Sequence, residues 1–326
     1  MSAGIFSALC FGKLPAFGDF VRHNASSPEM MAFDRWLQEG IFLAKSKLGN
    51  GWENTYQNAP FYHFLFYPEN ARQFFVGMLK PSSDKSLRKY PFLVSLQIET
   101  ARFDSRFRTF APAIFRSFLE HIQRSFANNF NFTNMQEIVE YTENLSVAVP
   151  ENYLRLIQPY REYLAATTGE QFWNRQLGSF QDERKYLIFK NLTEILLPLR
   201  KHDLSRVSLG FRFPLGNSTG GNNFDASFWQ DVVLQLLGYP PGVLPLLFWS
   251  DSGDGAAAYL FLFFRPPSPK NFANLLNADL DSDTICKLEE EGNQRIGEAK
   301  HALSSQYRAL LDTGQISLDD FLQRLW

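Results

Sequence analysis

Val207-Ser208-Leu209-Gly210-Phe211-Arg212-Phe213 places apolar side chains at every second position, the pattern of a strand with one buried face. Pro214-Leu215 and a polar loop, Gly216-Asn217-Ser218-Thr219-Gly220-Gly221, lead from it to an apolar stretch, Phe224 to Leu237, read as a helix. A strand from Leu244 to Trp249 follows, then a Ser-Asp-Ser-Gly-Asp-Gly turn and a strand from Ala257 to Phe264. The first hundred residues repeat this order. Ile5 to Leu14 reads as a strand. Ser27-Pro28 supplies an N-cap with proline at the first helical position. Met30, Phe33, Trp36, Leu37, Ile41, Ala44 and Leu48 then keep helical spacing until Gly49-Asn50-Gly51 ends the helix. Phe61–Tyr67 and Gln73–Leu79 read as a hairpin turned by Pro68-Glu69-Asn70-Ala71, and Tyr90–Ile98 as a further strand.

The stretch from Phe107 to Phe126 carries apolar residues at spacings of three and four, the mark of an amphipathic helix. From Asn134 to Leu199 the pattern stays helical, broken at Pro150, Pro159 and Gly169, with Thr133 and Gln136 as a capping box. Ser317 and Asp320 cap the last helix. The expected class is α/β: two strand-helix-hairpin units with mixed sheets flanked by helices, joined by a helical connector. The boundaries expected are 1–130, 131–204 and 205–326. The shared order, with Phe33-Asp34 in one unit and Phe224-Asp225 in the other, also raises an internal duplication as an expectation.

Composition narrows the function. The chain has 326 residues, which suits two domains, and its 45% hydrophobic share excludes wholesale disorder. A net charge of −2 argues against a general nucleic-acid binder. Two cysteines, Cys10 and Cys286, exclude a disulfide framework and a CxxC metal site, and point to a reducing compartment. The apolar run Gly4–Phe11 lacks a preceding basic segment and makes a poor secretory signal. Val232 to Ser250 is uncharged, but Pro240, Pro241, Gly242 and Pro245 argue against a membrane helix. A cytoplasmic protein is expected, with no metal or cofactor.

Several motifs carry chemistry on paper. Gly216-Asn217-Ser218-Thr219-Gly220 matches the G-x-S-x-G nucleophile elbow, with Asp251, Asp254 and His301 later in the chain. Pro214-Leu215 before it and Gly221-Asn222-Asn223 after it spoil the direct strand-to-helix turn that an elbow needs. Asp279, Asp281, Asp283 and Glu290 have the spacing of a calcium loop, but Thr284 stands where the sharp turn wants glycine. His23, His63, His121, His202 and His301 share no metal spacing.

The remaining cluster lies in two loops. Lys13, Gly18, Asp19, Phe20 and Arg22 follow the first strand, and Asp84, Lys85 and Arg88 precede Tyr90-Pro91. Loops at strand ends are the usual binding places of an open α/β sheet. The cluster reads equally as a binding site or as an ion-pair network that fixes two loops. An Asp19 or Asp84 pair with Arg22 or Arg88 is expected, and Gly18 is read as a position that tolerates no Cβ.

The same loops carry a family resemblance. Gly12-Lys13-Leu14-Pro15-Ala16-Phe17-Gly18-Asp19-Phe20-Val21 resembles the opening signature of the TagF (ImpM) family of type VI secretion accessory proteins. Gly51-Trp52, Tyr56, Ala59-Pro60 and Phe64 resemble its second block. Gly77 to Asp84, with Arg88 and Pro91, resembles its third, with Leu87 where the pattern has glycine. The resemblance spans about residues 5–125. It implies a post-translational repressor of type VI secretion, linked to a forkhead-associated (FHA) scaffold protein. It marks Lys13, Gly18, Asp19, Arg22, Trp52, Ser82, Asp84 and Arg88 as partner-binding or structural residues. The competing readings are enzymatic: a hydrolase centred on Ser218, or a phosphate-handling site at Lys13, Arg22 and Arg88.

Overall fold

Strands from both halves of the chain enter one sheet. They are β2 (Ala8–Gly12), β3 (Val21–His23), β4 (Tyr62–Phe66), β5 (Gln73–Lys80), β6 (Phe92–Glu99), β8 (Gly210–Gly216), β9 (Leu246–Ser250), β10 (Ala258–Phe263) and β11 (Ile285–Lys287). Their order is β11-β8-β10-β9-β4-β5-β6-β2-β3. The β8–β11 pair is parallel and the other pairs are antiparallel, so the sheet is mixed. A two-stranded ribbon, β1 (Gly4–Phe6) with β7 (Val147–Val149), stands apart. The computed structural model describes residues 4–69, 72–100, 107, 109–127, 132–150, 152–216, 222–240, 243–250, 257–290 and 296–325.

The join between the halves is β4 against β9, with Phe64 opposite Phe248 and His63 opposite Trp249. Helix α1 (Pro28–Leu48) begins where the Ser27 hydroxyl accepts the Met30 N–H at 3.1 Å. It lays Phe33, Trp36 and Leu37 over Phe64, Phe66 and Phe75 of one half and Phe248 of the other. The Trp36 indole donates to the Pro267 carbonyl at 2.7 Å, a bond across the two halves. Each buried ring contributes about 1.5–3 kcal/mol, so this face welds the sheet together. Helix α2 (Trp52–Gln57) follows α1.

The opposite face is covered by α3 (Arg116–Ala127), α4 (Gln158–Ala166), α5 (Gly169–Leu177), α6 (Arg184–Leu199) and α7 (Asn222–Leu237). Trp229 of α7 packs on Phe213 of β8, Phe172 of α5 and Phe228. Two buried tyrosine–aspartate bonds tie α4 to α7: Tyr160 donates to Asp231 at 2.6 Å, and Tyr163 donates to Asp225.

Several expectations need correction. The expected strand Ile5–Leu14 is split at the exposed Ser7, and its first part pairs with Val147–Val149 inside the expected helical connector. The expected helix over 107–126 breaks at Phe115 into Ala111–Ile114 and α3. The capping box at Thr133 is shifted by one residue. Asn134 is the N-cap, accepting the Glu137 N–H, and Glu137 reaches back to the Thr133 N–H. Strand β8 is buried on both faces, so Arg212 is not on a solvent face.

The internal duplication is not found. In the second half β8 lies two places from β9, separated by the hairpin strand β10. In the first half β6 intervenes between the hairpin strand β5 and β2. The helices also cover opposite faces, α1 with the Phe64–Phe248 core and α7 with the Phe213–Trp249 core. An antiparallel β4–β9 join relates two copies by an axis normal to the sheet, which would put both helices on one face.

Candidate functional site

Strand β2 ends at Gly12, whose φ of +132° lies outside the range L side chains adopt readily. A Cβ there would stand 2.1 Å from the Pro91 carbonyl oxygen, so only glycine lets β2 come this close to the 82–91 segment. The close approach sets Lys13 beside Asp84. The Lys13 ammonium lies 2.9 Å from Asp84 Oδ2, and both side chains are buried. The Arg88 guanidinium reaches the same oxygen at 2.6 Å. The other oxygen, Oδ1, accepts the Ser86 and Arg88 N–H groups at 2.9 and 3.0 Å. Burial alone would raise the Asp84 carboxyl. The Lys13 ammonium and the Arg88 donors outweigh it and hold the group well below the usual carboxylate range.

The two loops are stitched together by backbone as well. The Lys85 N–H donates to the Phe17 carbonyl at 2.8 Å, and the Arg88 guanidinium donates to the Gly18 carbonyl at 2.7 Å. Phe11, Phe20 and Tyr90 form an aromatic group beside them, with centroid distances of 4.8–5.9 Å. Lys13 lies over the Phe20 ring, and Arg22 over the Phe11 ring. The Tyr90 hydroxyl donates to Asp34 of α1 at 2.6 Å. Burial, then the Asp34 carboxylate, pushes that phenol far above its ordinary value, so it stays a donor. Trp52 is buried against Tyr56, whose hydroxyl accepts the Ser82 N–H at 3.2 Å, while the Ser82 carbonyl accepts the Tyr90 N–H.

Lys13, Asp84 and Arg88 thus form one ion-paired group, to which Gly18 contributes its carbonyl, while the Ser82 backbone bonds Tyr56 and Tyr90. Asp19 is exposed, and its carboxylate accepts the next N–H, that of Phe20, at 2.8 Å. Arg22 is exposed. The reading of Gly18 is corrected: a Cβ there would meet open space, and its φ is not in the left-handed range. The constrained glycine is Gly12. Gly18→Ala is therefore expected to leave the melting temperature unchanged. Gly12→Ala should destabilise by about 2–3 kcal/mol, measured by denaturant unfolding.

With this geometry in view, residues 10–141 match the TagF N-terminal domain family, described as type VI secretion system-associated. This segment is similar to the TagF N-terminal domain over less than half of the chain, and the type VI secretion association is that family's description. A solved structure, that of PA0076 from Pseudomonas aeruginosa PAO1, has a similar fold: TM-score 0.51, 15% identity, covering 85% of this chain and 96% of that one. Comparison with curated proteins gives no match. All eight signature residues from Lys13 to Arg88 lie within the matched segment.

The other sequence candidates fare differently. Ser218, Asp251 and Asp254 lie outside the described residues. His301 is exposed with its Nδ1 near the Gly297 carbonyl, and His202 is exposed. In the calcium-like loop, Asp279 and Glu290 face the guanidinium of Arg212, and Glu290 also meets Lys287 at 3.1 Å. Among the described residues no group of three or more His, Cys, Asp or Glu is arranged to hold a metal ion. The sequence reading missed Arg212 itself. It is buried, meets Glu289 at 2.6 Å, donates to the Ala278 carbonyl at 2.7 Å and stacks over Tyr259. Its signal was an arginine between two phenylalanines of a strand. Tyr90 and Asp34 were missed as partners because 56 residues separate them.

Proposed function

We propose that this chain is a cytoplasmic, non-enzymatic accessory protein that represses type VI secretion by binding an assembly component, with the FHA-domain scaffold protein as partner. The family resemblance supplies the partner class. The observation that carries the reading is the commitment of Lys13 and Asp84 to each other beneath the surface. These signature residues hold the two loops together, and a group already spent on an internal ion pair is poorly placed to bind phosphate or move a proton. What the loops offer outward is Asp19, Phe20, Arg22, Lys85 and Leu87, side chains suited to recognition.

The test is complementation. In a strain lacking this gene, wild-type protein is expected to hold effector secretion down. An Asp19→Arg, Arg22→Glu variant present at equal level should release it. Equal repression by both would remove the loops as the working surface.

A further inference from the structure

Leu87 sits at the tip of the second loop with φ +63°, the left-handed region that leucine rarely adopts. Its side chain is 72% exposed, so little burial offsets that strain. The loop around it is fixed at both ends. Asp84 accepts the Ser86 and Arg88 N–H groups, and the Leu87 N–H donates to the Asp84 carbonyl at 2.9 Å. A strained backbone that holds an apolar side chain out into water, on a loop tied down by an ion pair, points to use rather than accident.

The surroundings state the chemistry of what it meets. Residues 13–22 and 82–89 hold five basic side chains, Lys13, Arg22, Lys85, Arg88 and Lys89, against two acids, in a chain whose net charge is −2. One of those acids, Asp84, is buried between Lys13 and Arg88. Lys85 is exposed, and so is most of the Arg88 side chain. Phe20 on the facing loop is 38% exposed.

We infer that Leu87 is an anchor that inserts into an apolar pocket on a protein partner, with Lys85 and Arg88 meeting carboxylates at the rim of that pocket. This rests on the binding function proposed above and adds the residue and the partner's chemistry. The loop is fixed before contact, so little ordering is left for binding, and burial of one leucine is worth about one to two orders of magnitude in affinity. The basic flank would act mainly on association rate and on salt dependence.

The substitution Leu87→Gly separates anchor from scaffold because the two effects have opposite signs. Glycine relieves the left-handed strain, so the melting temperature should hold or rise by about 1–3 °C. Affinity for the purified FHA-domain protein of the same secretion system should fall by about 10–100-fold. Leu87→Asn, which also tolerates this backbone, serves as the second variant and should lose affinity similarly. Lys85→Glu should slow association and flatten its dependence on salt. If the wild type binds and both Leu87 variants bind equally well, the anchor is wrong while the proposed function stands. If the wild type does not bind this protein, or binds anionic phospholipid vesicles in its place, the proposed function and the anchor fall together. A Leu87→Gly protein markedly less stable than wild type would overturn the strain premise, and the anchor with it.

Discussion

Asp84→Asn is expected to lower the melting temperature by about 5–10 °C, the largest loss from any single signature residue. The substitution keeps the shape and removes the charge. Lys13, buried 2.9 Å from the carboxylate, is then left without its counter-ion, and Arg88 loses the acceptor that aims it at Gly18. Breaking a buried pair costs more than the pair is worth, because the remaining charge stays out of water. Lys13→Met added to Asp84→Asn should recover part of the loss, since it removes the stranded ammonium. The pH behaviour follows from the sign of the shift. Burial alone would raise the Asp84 carboxyl, but Lys13 and Arg88 hold it below the ordinary value near 3.9. Its contribution is complete above about pH 4 and lost as the pH falls further. A thermal series from pH 5 to pH 2.5 on wild type and Asp84→Asn checks this: the gap between the two should begin to narrow below about pH 4. A gap unchanged from pH 5 to pH 2.5 would mean that the carboxylate charge is not what holds the loops.

His63 should impose a second, opposed-charge dependence from the centre of the sheet. Its ring is buried at the join of the two halves, 5.3 Å from Trp249, and neither nitrogen has a hydrogen-bond partner among the described residues. Burial lowers the ring from its ordinary value of 6.5 to about 3. The unfolded chain therefore takes up a proton that the folded chain refuses. Stability is complete above about pH 6.5 and falls by up to about 1.4 kcal/mol per pH unit towards pH 3, about 4–5 kcal/mol in all. Asp231 has the opposite slope, because burial pushes its carboxyl up to about 7 despite the Tyr160 hydrogen bond, so its contribution is full below about pH 4 and is lost as the pH rises from there to about 7. The His63 contribution is thus read from a difference. His63→Phe, which keeps an aromatic ring beside Trp249, should match or exceed wild-type stability at pH 7. Its advantage should grow steadily between pH 6.5 and pH 4 in denaturant unfolding. Parallel pH profiles would show that the ring finds a partner or a proton in the folded state.

The local features of this fold were legible in the sequence. Ser27-Pro28 and Gly49-Asn50-Gly51 fix the ends of α1, because capping and left-handed turns depend on neighbouring residues alone. The hairpin β4–β5 and the strand–helix–hairpin order of the second half were legible for the same reason. Strand order was not. The β4–β9 pairing joins residues nearly two hundred positions apart, and period-two patterns record which face is buried but not which strand lies beside it. The same limit misled the reading of β8, where a polar position in the alternation implied solvent. Three carboxylates and an aromatic ring from distant segments instead receive Arg212 in the interior.

In the candidate site the loops and most of their residue types were visible, and the roles within them were not. Asp19 and Asp84 look alike in sequence, yet Asp84 carries the network while Asp19 lies at the surface. The difference is set by Gly12, whose missing Cβ allows the approach of Pro91 and so brings the 82–89 loop over Lys13. That dependence runs through tertiary packing, which is why Gly18, the more conspicuous loop glycine, drew the wrong inference.

Calorimetric titration of the purified FHA-domain protein into this chain and into its Arg22→Glu variant tests the central claim most directly, with melting temperatures taken on the same samples. Arg22 is exposed and lies over the Phe11 ring, so its loss should leave stability within about 1 °C. Saturable binding by the wild type, weakened at least about tenfold by Arg22→Glu at unchanged melting temperature, is the predicted result. Absence of binding by the wild type, or equal binding by the two proteins, would contradict the account.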